Sequence, residues 1–166
     1  MRELILFRHA KAEATSPNGD RARVLSKTGR RRATEMGAKL AAEGIRPDLA
    51  LVSNSARTLQ TWELTGAAFP ETRIEVLDEL YDASAEEIAL AVAAVVATAE
   101  VIIVVGHNPG LHAYVMKLLT RGGASASELA RASTGFPTAV AAVFAVDEAG
   151  RPALKAVYDP REFGRQ

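Results

Sequence analysis

Two short apolar runs in this chain each end in a histidine. Leu4-Ile5-Leu6-Phe7 is followed at once by Arg8 and His9, and Val101-Ile102-Ile103-Val104-Val105 by Gly106 and His107. Continuous apolar runs this short, the second of them β-branched throughout, read as strands buried on both faces, the kind found in parallel sheets. Open α/β sheets bind their ligands beyond the carboxyl ends of such strands. The pattern therefore delivers Arg8, His9 and His107 to one functional edge.

The segments between alternate in the way a parallel sheet requires. Ala10 to Leu25 is polar and carries the turn cluster Ser16-Pro17-Asn18-Gly19, so it reads as a long loop at the His9 edge, and loops of that length in a compact domain are often functional. Ser26-Lys27-Thr28-Gly29 opens a helix that runs to Glu43 with Ala33, Met36, Gly37 and Leu40 at helical spacing, and Gly44 closes it. Leu49 to Val52 reads as a strand, Ser55 to Phe69 as a helix and Ile74 to Leu77 as a strand. Ser84-Ala85-Glu86-Glu87 starts a third helix that feeds the strand ending at Gly106, and a fourth helix runs from about Pro109 to Leu119. Phe136 to Val146 and Ala153 to Val157 read as a closing hairpin. The expected fold is a three-layer α/β domain, a mostly parallel sheet with helices on both faces and an antiparallel element at one edge.

Length and composition bound the function. A chain of 166 residues, without linker or repeat, reads as a single domain over 1–166. Lys and Arg total 20 and Asp and Glu total 20, so the net charge points to neither a nucleic-acid partner nor a membrane surface, and an anion site must be a local cluster. With no cysteine there is no disulfide, thiolate nucleophile or zinc-thiolate site. The apolar start from Met1 to Phe7 is too short for a signal peptide, and the expected location is the cytoplasm. Ala89 to Val105 is almost wholly apolar, but Glu100 divides an alanine-rich helix from a β-branched strand, which is not the pattern of a membrane span.

Arg57 joins the candidates because it falls in the first turn of a helix capped by Ser53 or Ser55, a place where the helix dipole disfavours a cation unless an anion is bound. Singly, a histidine after a strand is more often structural and an arginine more often a solvated charge. Arg8, His9, Arg57 and His107 at three strand ends form a set that suits phosphate. His112 is read as structural, since it lies five residues after His107 and not on the same helical face. No metal site and no cofactor are indicated.

These residues resemble the histidine phosphatase superfamily, the phosphoglycerate mutase-like fold, and within it the short bacterial phosphohistidine phosphatases of the SixA type. Arg8-His9-Ala10 is similar to the family's Arg-His-Gly signature. Arg23-Val24-Leu25-Ser26-Lys27-Thr28-Gly29 is similar to its entry into the first helix, Ser53 through Thr61 to its Ser-Pro-x-x-Arg-Ala-x-Gln-Thr segment, and Gly106-His107-Asn108-Pro109 to its second histidine. The likeness runs from Leu4 to about Leu119, with Ala10, Asn54 and Thr58 standing where the family has glycine, proline and alanine.

The chemistry that follows is nucleophilic. An unprotonated nitrogen of His9 attacks phosphorus in line, and water hydrolyses the phosphohistidine formed. Planar guanidiniums of Arg8 and Arg57 suit the equatorial oxygens, His107 adds a donor if protonated, and Arg23 is a further substrate contact or a solvated charge. Glu79 stands where the wider superfamily often keeps its acid. The connections leave little material for a lid after Leu80, so the resemblance implies phosphohistidine in proteins as substrate, with small phosphorylated metabolites as the alternative. A noncatalytic phosphate-binding module is the rival from another class, and the sequence is silent on oligomeric state.

Overall fold

A computed structural model describes residues 2–164. Its centre is a six-stranded sheet in the order β3-β2-β4-β1-β5-β6, formed by β1 (Arg2–Arg8), β2 (Leu49–Ser53), β3 (Arg73–Leu77), β4 (Val101–Gly106), β5 (Ala141–Val146) and β6 (Pro152–Tyr158). The first four run parallel; β5 is antiparallel to β1, and β6 to β5. Helices α1 (Lys27–Ala42) and α2 (Ala56–Gly66) precede β2 and β3, α3 (Ala85–Val95) precedes β4, and α4 (Gly110–Arg121) and α5 (Ala126–Ser133) follow it.

Period-two alternation along the central strands divides the core in two. Ile5 and Phe7 of β1 join Ala50, Val52, Ile103 and Val105 against Met36, Leu40 and Trp62 of α1 and α2. Leu4 and Leu6 join Leu49, Leu51, Ile102 and Val104 against Ile88 of α3 and Leu111, Val115 and Leu118 of α4. Each strand thus buries both faces, which is why its sequence shows a run and not an alternation.

Helix starts follow the capping signals. Ser26, Ser55 and Ser84 each accept a backbone N–H from the first turn, and Ser84 forms a capping box with Glu87. The expected helices end early, at Gly66 rather than Phe69 and at Val95 rather than Ala99. Two further differences lie after Gly123. Residues Ala126–Ser133 form α5, capped by a second box between Ser125 and Glu128. Of the expected strand Phe136 to Val146, only Ala141–Val146 pairs. Pro137 has no N–H to give a ladder, and Ala139 sits at φ 64°. Among the described residues no helix is long and apolar enough to cross a membrane.

Candidate active site

Strand register assembles the centre. Arg8 pairs with Gly106 across β1 and β4, so His9 and His107 are the next residues on adjacent parallel strands. Their rings lie 5.3 Å apart, centroid to centroid, each side chain's residue only 7% exposed. On the other flank of β4, Val52 pairs with Val105, which brings Ser53 beside His107, and the Ser53 hydroxyl lies 2.7 Å from His107 Nε2.

The protonation of His9 follows from its partner. Nδ1 lies 2.8 Å from the Ala10 carbonyl, an acceptor only, so Nδ1 carries the proton and Nε2 keeps its lone pair. Burial lowers its pKa to about 3, opposed by the Ala10 hydrogen bond and assisted by His107, Arg57 and Arg8. His107 is lowered to about 4, first by burial and then by Arg57, with Asp20 acting in the other direction. In the free site, burial and the neighbouring arginines thus favour the neutral form of both imidazoles.

The arginines are held from outside the sheet. Arg8 Nη1 donates to the Phe136 carbonyl at 3.0 Å, and the Asn108 amide donates to the same oxygen at 2.8 Å. Ala139 N–H reaches the carbonyls of Arg8 and His9. The stretch that does not extend β5 thus fixes the Arg8 guanidinium and the backbone of Arg8 and His9. Arg57, 6% exposed in the first turn of α2, donates from Nη1 to the Asp20 carbonyl at 2.9 Å and from Nη2 to the Asp20 carboxylate at 3.1 Å. Nε of Arg8, Nε of Arg57 and Nδ1 of His107 are buried without a protein partner. A buried unpaired polar group costs about 1–3 kcal/mol. The two guanidinium N–H groups among them are donors of the kind an oxyanion satisfies, and Asn108 Oδ1 is an acceptor left in the same state.

The polar loop after β1 is a tied excursion. Ala12 bridges Leu25, Glu13 N–H donates to the Val24 carbonyl and Ser26 N–H to the Lys11 carbonyl. Gly29 allows that base to close, since a Cβ there would meet the Lys11 carbonyl oxygen at 1.9 Å. Helix α2 clamps both ends: Gln60 Oε1 accepts Leu25 N–H at 2.8 Å, and Thr61 Oγ1 accepts Ala10 N–H at 3.0 Å while donating to the Arg57 carbonyl. The far part of the loop is a 3-10 turn, Asp20–Ala22, that carries Asp20 to the site.

Asp20 is the residue that the strand-end logic misses. Its Oδ1 accepts from Arg23 Nη1 at 2.9 Å, and its Oδ2 from Arg57 and from the Tyr81 hydroxyl at 2.5 Å. The Tyr81 and Arg23 hydrogen bonds hold its carboxyl well below the usual carboxylate range, while the Tyr81 phenol is pushed up by the same bond. Tyr81 also meets the His107 ring edge-on at 5.6 Å, and Arg21 covers its face at 4.2 Å. The available sequence signal was Asp20 three residues before Arg23. Arg23 itself reaches the site through Asp20 and the Glu13 carbonyl. Glu79 is exposed, with no hydrogen bond to this network.

Two of the three departures from the family pattern have partners. Asn54 donates to Asp78 at 2.8 Å, and Thr58 Oγ1 donates to the Ser53 carbonyl at 2.6 Å. Ala10 is fully buried and packs in the core with residues of α1 and α2. His112 lies 2.8 Å from the Ala132 carbonyl and stacks on Phe136, the structural role expected of it.

Comparison with known proteins agrees with this geometry. No curated protein sequence matches the chain. Among solved structures, a protein assigned as phosphohistidine phosphatase SixA in Agrobacterium tumefaciens is 31% identical, with a TM-score of 0.85 over 96% of this chain and 98% of that one. One assigned likewise in Nakamurella multipartitia is also 31% identical, with a TM-score of 0.82 over 96% of each chain. A phosphoglycerate mutase from Plasmodium falciparum, 17% identical, shares the fold with a TM-score of 0.66 over 96% of this chain and 91% of its own. The sequence profile of the histidine phosphatase superfamily (branch 1) matches residues 4–89, just over half of the chain. That match, and two relatives identical at nearly a third of positions along almost the whole length, show that the chain belongs to the histidine phosphatase superfamily.

Proposed function

We propose that this histidine phosphatase removes phosphate from phosphohistidine in proteins, without a metal ion, through a phosphoryl group carried on His9. His9 Nε2, with its lone pair free, attacks phosphorus in line; Arg8, Arg57 and His107 surround the equatorial oxygens; water then displaces the phosphoryl group from His9. The observation that carries the substrate choice is that, among the described residues, the assembled network holds no protonated carboxylic acid. Its one carboxylate, Asp20, is held ionised by Arg57, Arg23 and Tyr81, and Glu79 stands outside. An alkoxide leaving group requires an acid, whereas an imidazole that already bears a proton on its other nitrogen leaves as a neutral molecule. The two SixA assignments among the relatives support the same reading.

The test compares a phosphohistidine-bearing protein with a simple alkyl phosphate. The expected wild-type preference is for the first, with Glu79→Gln nearly without effect on it and a chelator without effect on either. Strong preference for the alkyl ester, with a large loss in Glu79→Gln, would make the enzyme a metabolite phosphatase. His9→Ala is expected to abolish turnover while keeping the fold. Acid-labile, base-stable phosphate trapped on the wild-type chain and missing from this variant would identify the nucleophile, and near-normal hydrolysis by the variant would refute it.

A further inference from the structure

Asp20 presents a contradiction within a phosphate site. It sets a carboxylate against Arg57, so that both terminal nitrogens of a nearly buried guanidinium serve Asp20, and only Nε is left without a protein partner. A negative group beside a phosphate position repels the substrate's own charge. If the carboxylate served only to orient Arg57, the one bond it takes from Nη2 would suffice, yet it is also reached by Arg23 from its own loop and by Tyr81.

Counting acceptor sites shows what remains. A carboxylate offers about four lone-pair sites. Oδ2 takes Arg57 and Tyr81, and Oδ1 takes Arg23 alone. One site on Oδ1 is thus uncommitted. The side chain is 51% exposed although its guanidinium partner is 7% exposed, so the carboxylate faces solvent while Arg57 lies beneath it. Such an oxygen accepts a proton-bearing group from an entering substrate and gives none. Tyr81 ties this position to the catalytic floor, since its ring contacts both Asp20 and His107.

We infer that Asp20 is a specificity-determining residue, whose carboxylate receives the ring N–H of a phosphohistidine and whose negative charge disfavours phosphate esters and free phosphate at the same arginine. The inference rests on the phosphohistidine reading above. The step balances without moving a proton. The substrate ring carries phosphorus on one nitrogen and hydrogen on the other. The bond from His9 Nε2 to phosphorus forms as the bond from phosphorus to the substrate nitrogen breaks, and the electron pair returns to that ring. The ring departs as neutral imidazole with its N–H still on Asp20, and His9 keeps its own Nδ1–H on the Ala10 carbonyl. Donor and acceptor of the phosphoryl group are the same chemical species, each with its second nitrogen anchored by an oxygen of the protein.

The experiment uses the full chain as wild type, Asp20→Asn and Asp20→Ala, with a phosphohistidine peptide, an aryl phosphate and inorganic phosphate as inhibitor. A hydrogen bond to a charged group is worth about 1.5–3 kcal/mol, so kcat/KM on the peptide is expected to fall about 10- to 100-fold in both variants. On the aryl phosphate, whose leaving group needs no proton, kcat/KM is expected to rise and inhibition by phosphate to tighten. Residual aryl phosphate turnover also reports that each variant is folded with Arg57 in place. Equal losses on both substrates would reduce Asp20 to a support for Arg57 and overturn the inference, as would an unchanged rate on the peptide. A wild-type enzyme inert toward the peptide but active on esters overturns the substrate reading and the ring contact with it; failure of the variants alone, with an active wild type, overturns only the role given to Asp20.

Discussion

Arg57 combines a cation, a helix N-terminus and near-complete burial, three features that oppose one another unless an anion is present. Its loss should therefore be felt in the transition state. Arg57→Ala is expected to slow phosphoryl transfer about 100-fold or more, with Arg57→Lys only partly restoring it, because an ammonium lacks the planar fork. Single-turnover rates on an aryl phosphate check this, and a loss confined to KM would contradict it. The two imidazoles make a second prediction, for stability. Both are held below their ordinary value, to about 3 and about 4, so near pH 5 these two side chains together hold about two more protons in the unfolded chain than in the folded one. Their contribution is present above pH 6.5 and is lost as the pH falls, at about 2–3 kcal/mol per pH unit near pH 5. Urea melts between pH 7 and pH 5 measure the slope, and His9→Asn should lower it by about one proton; a slope unchanged by that substitution would contradict the assignment. At this scale Arg8, His9 and His107 were legible because each stands at or just past the end of a strand, and Arg57 because it opens the helix after one. Asp20, Tyr81 and Ser53 were not, because their part depends on the path of a loop and on cross-strand register, neither of which local pattern records.

Among the elements, α4 is tightly seated near the site. Gly110 opens it so close to the chain before α3 that a Cβ would meet the Ala83 carbonyl oxygen at 1.8 Å. Gly110→Ala must push α4 away from that backbone, and overpacking of this kind costs about 1–3 kcal/mol. Because α4 begins three residues after His107, the same shift should slow catalysis. A urea midpoint and an aryl phosphate rate measured on one preparation test both; wild-type values for both would mean the neighbouring chain yields freely. The capping serines made α1, α2 and α3 readable from sequence. The same signal was present for α5 in Ser125 and Glu128, but its helix is short and its partly buried Leu129 and Ala132 give only a narrow apolar stripe. The stretch from Phe136 to Val140 has strand-like composition, yet its backbone is spent on Arg8 and His9 instead of a ladder.

At the scale of the whole molecule, both halves of the core share one sheet, and we expect residues 1–166 to behave as a single cooperative unit. Calorimetric and van't Hoff enthalpies should agree on thermal unfolding; a van't Hoff enthalpy well below the calorimetric one would reveal separable parts. The mostly parallel architecture was legible because alternating runs and helical periods leave few other solutions. Strand order was not, since β1 inserts between β4 and β5, elements far along the chain from it. That insertion has a consequence for biosynthesis. A chain emerging from the ribosome exposes His9 early, but β1 finds its parallel neighbour only after Gly106 emerges, and the Arg8 guanidinium finds its carbonyl only after Phe136 does. Arg8, His9 and His107 thus come into register only once segments more than 120 residues apart have all been made, so the latest of them, and not the first, completes the site.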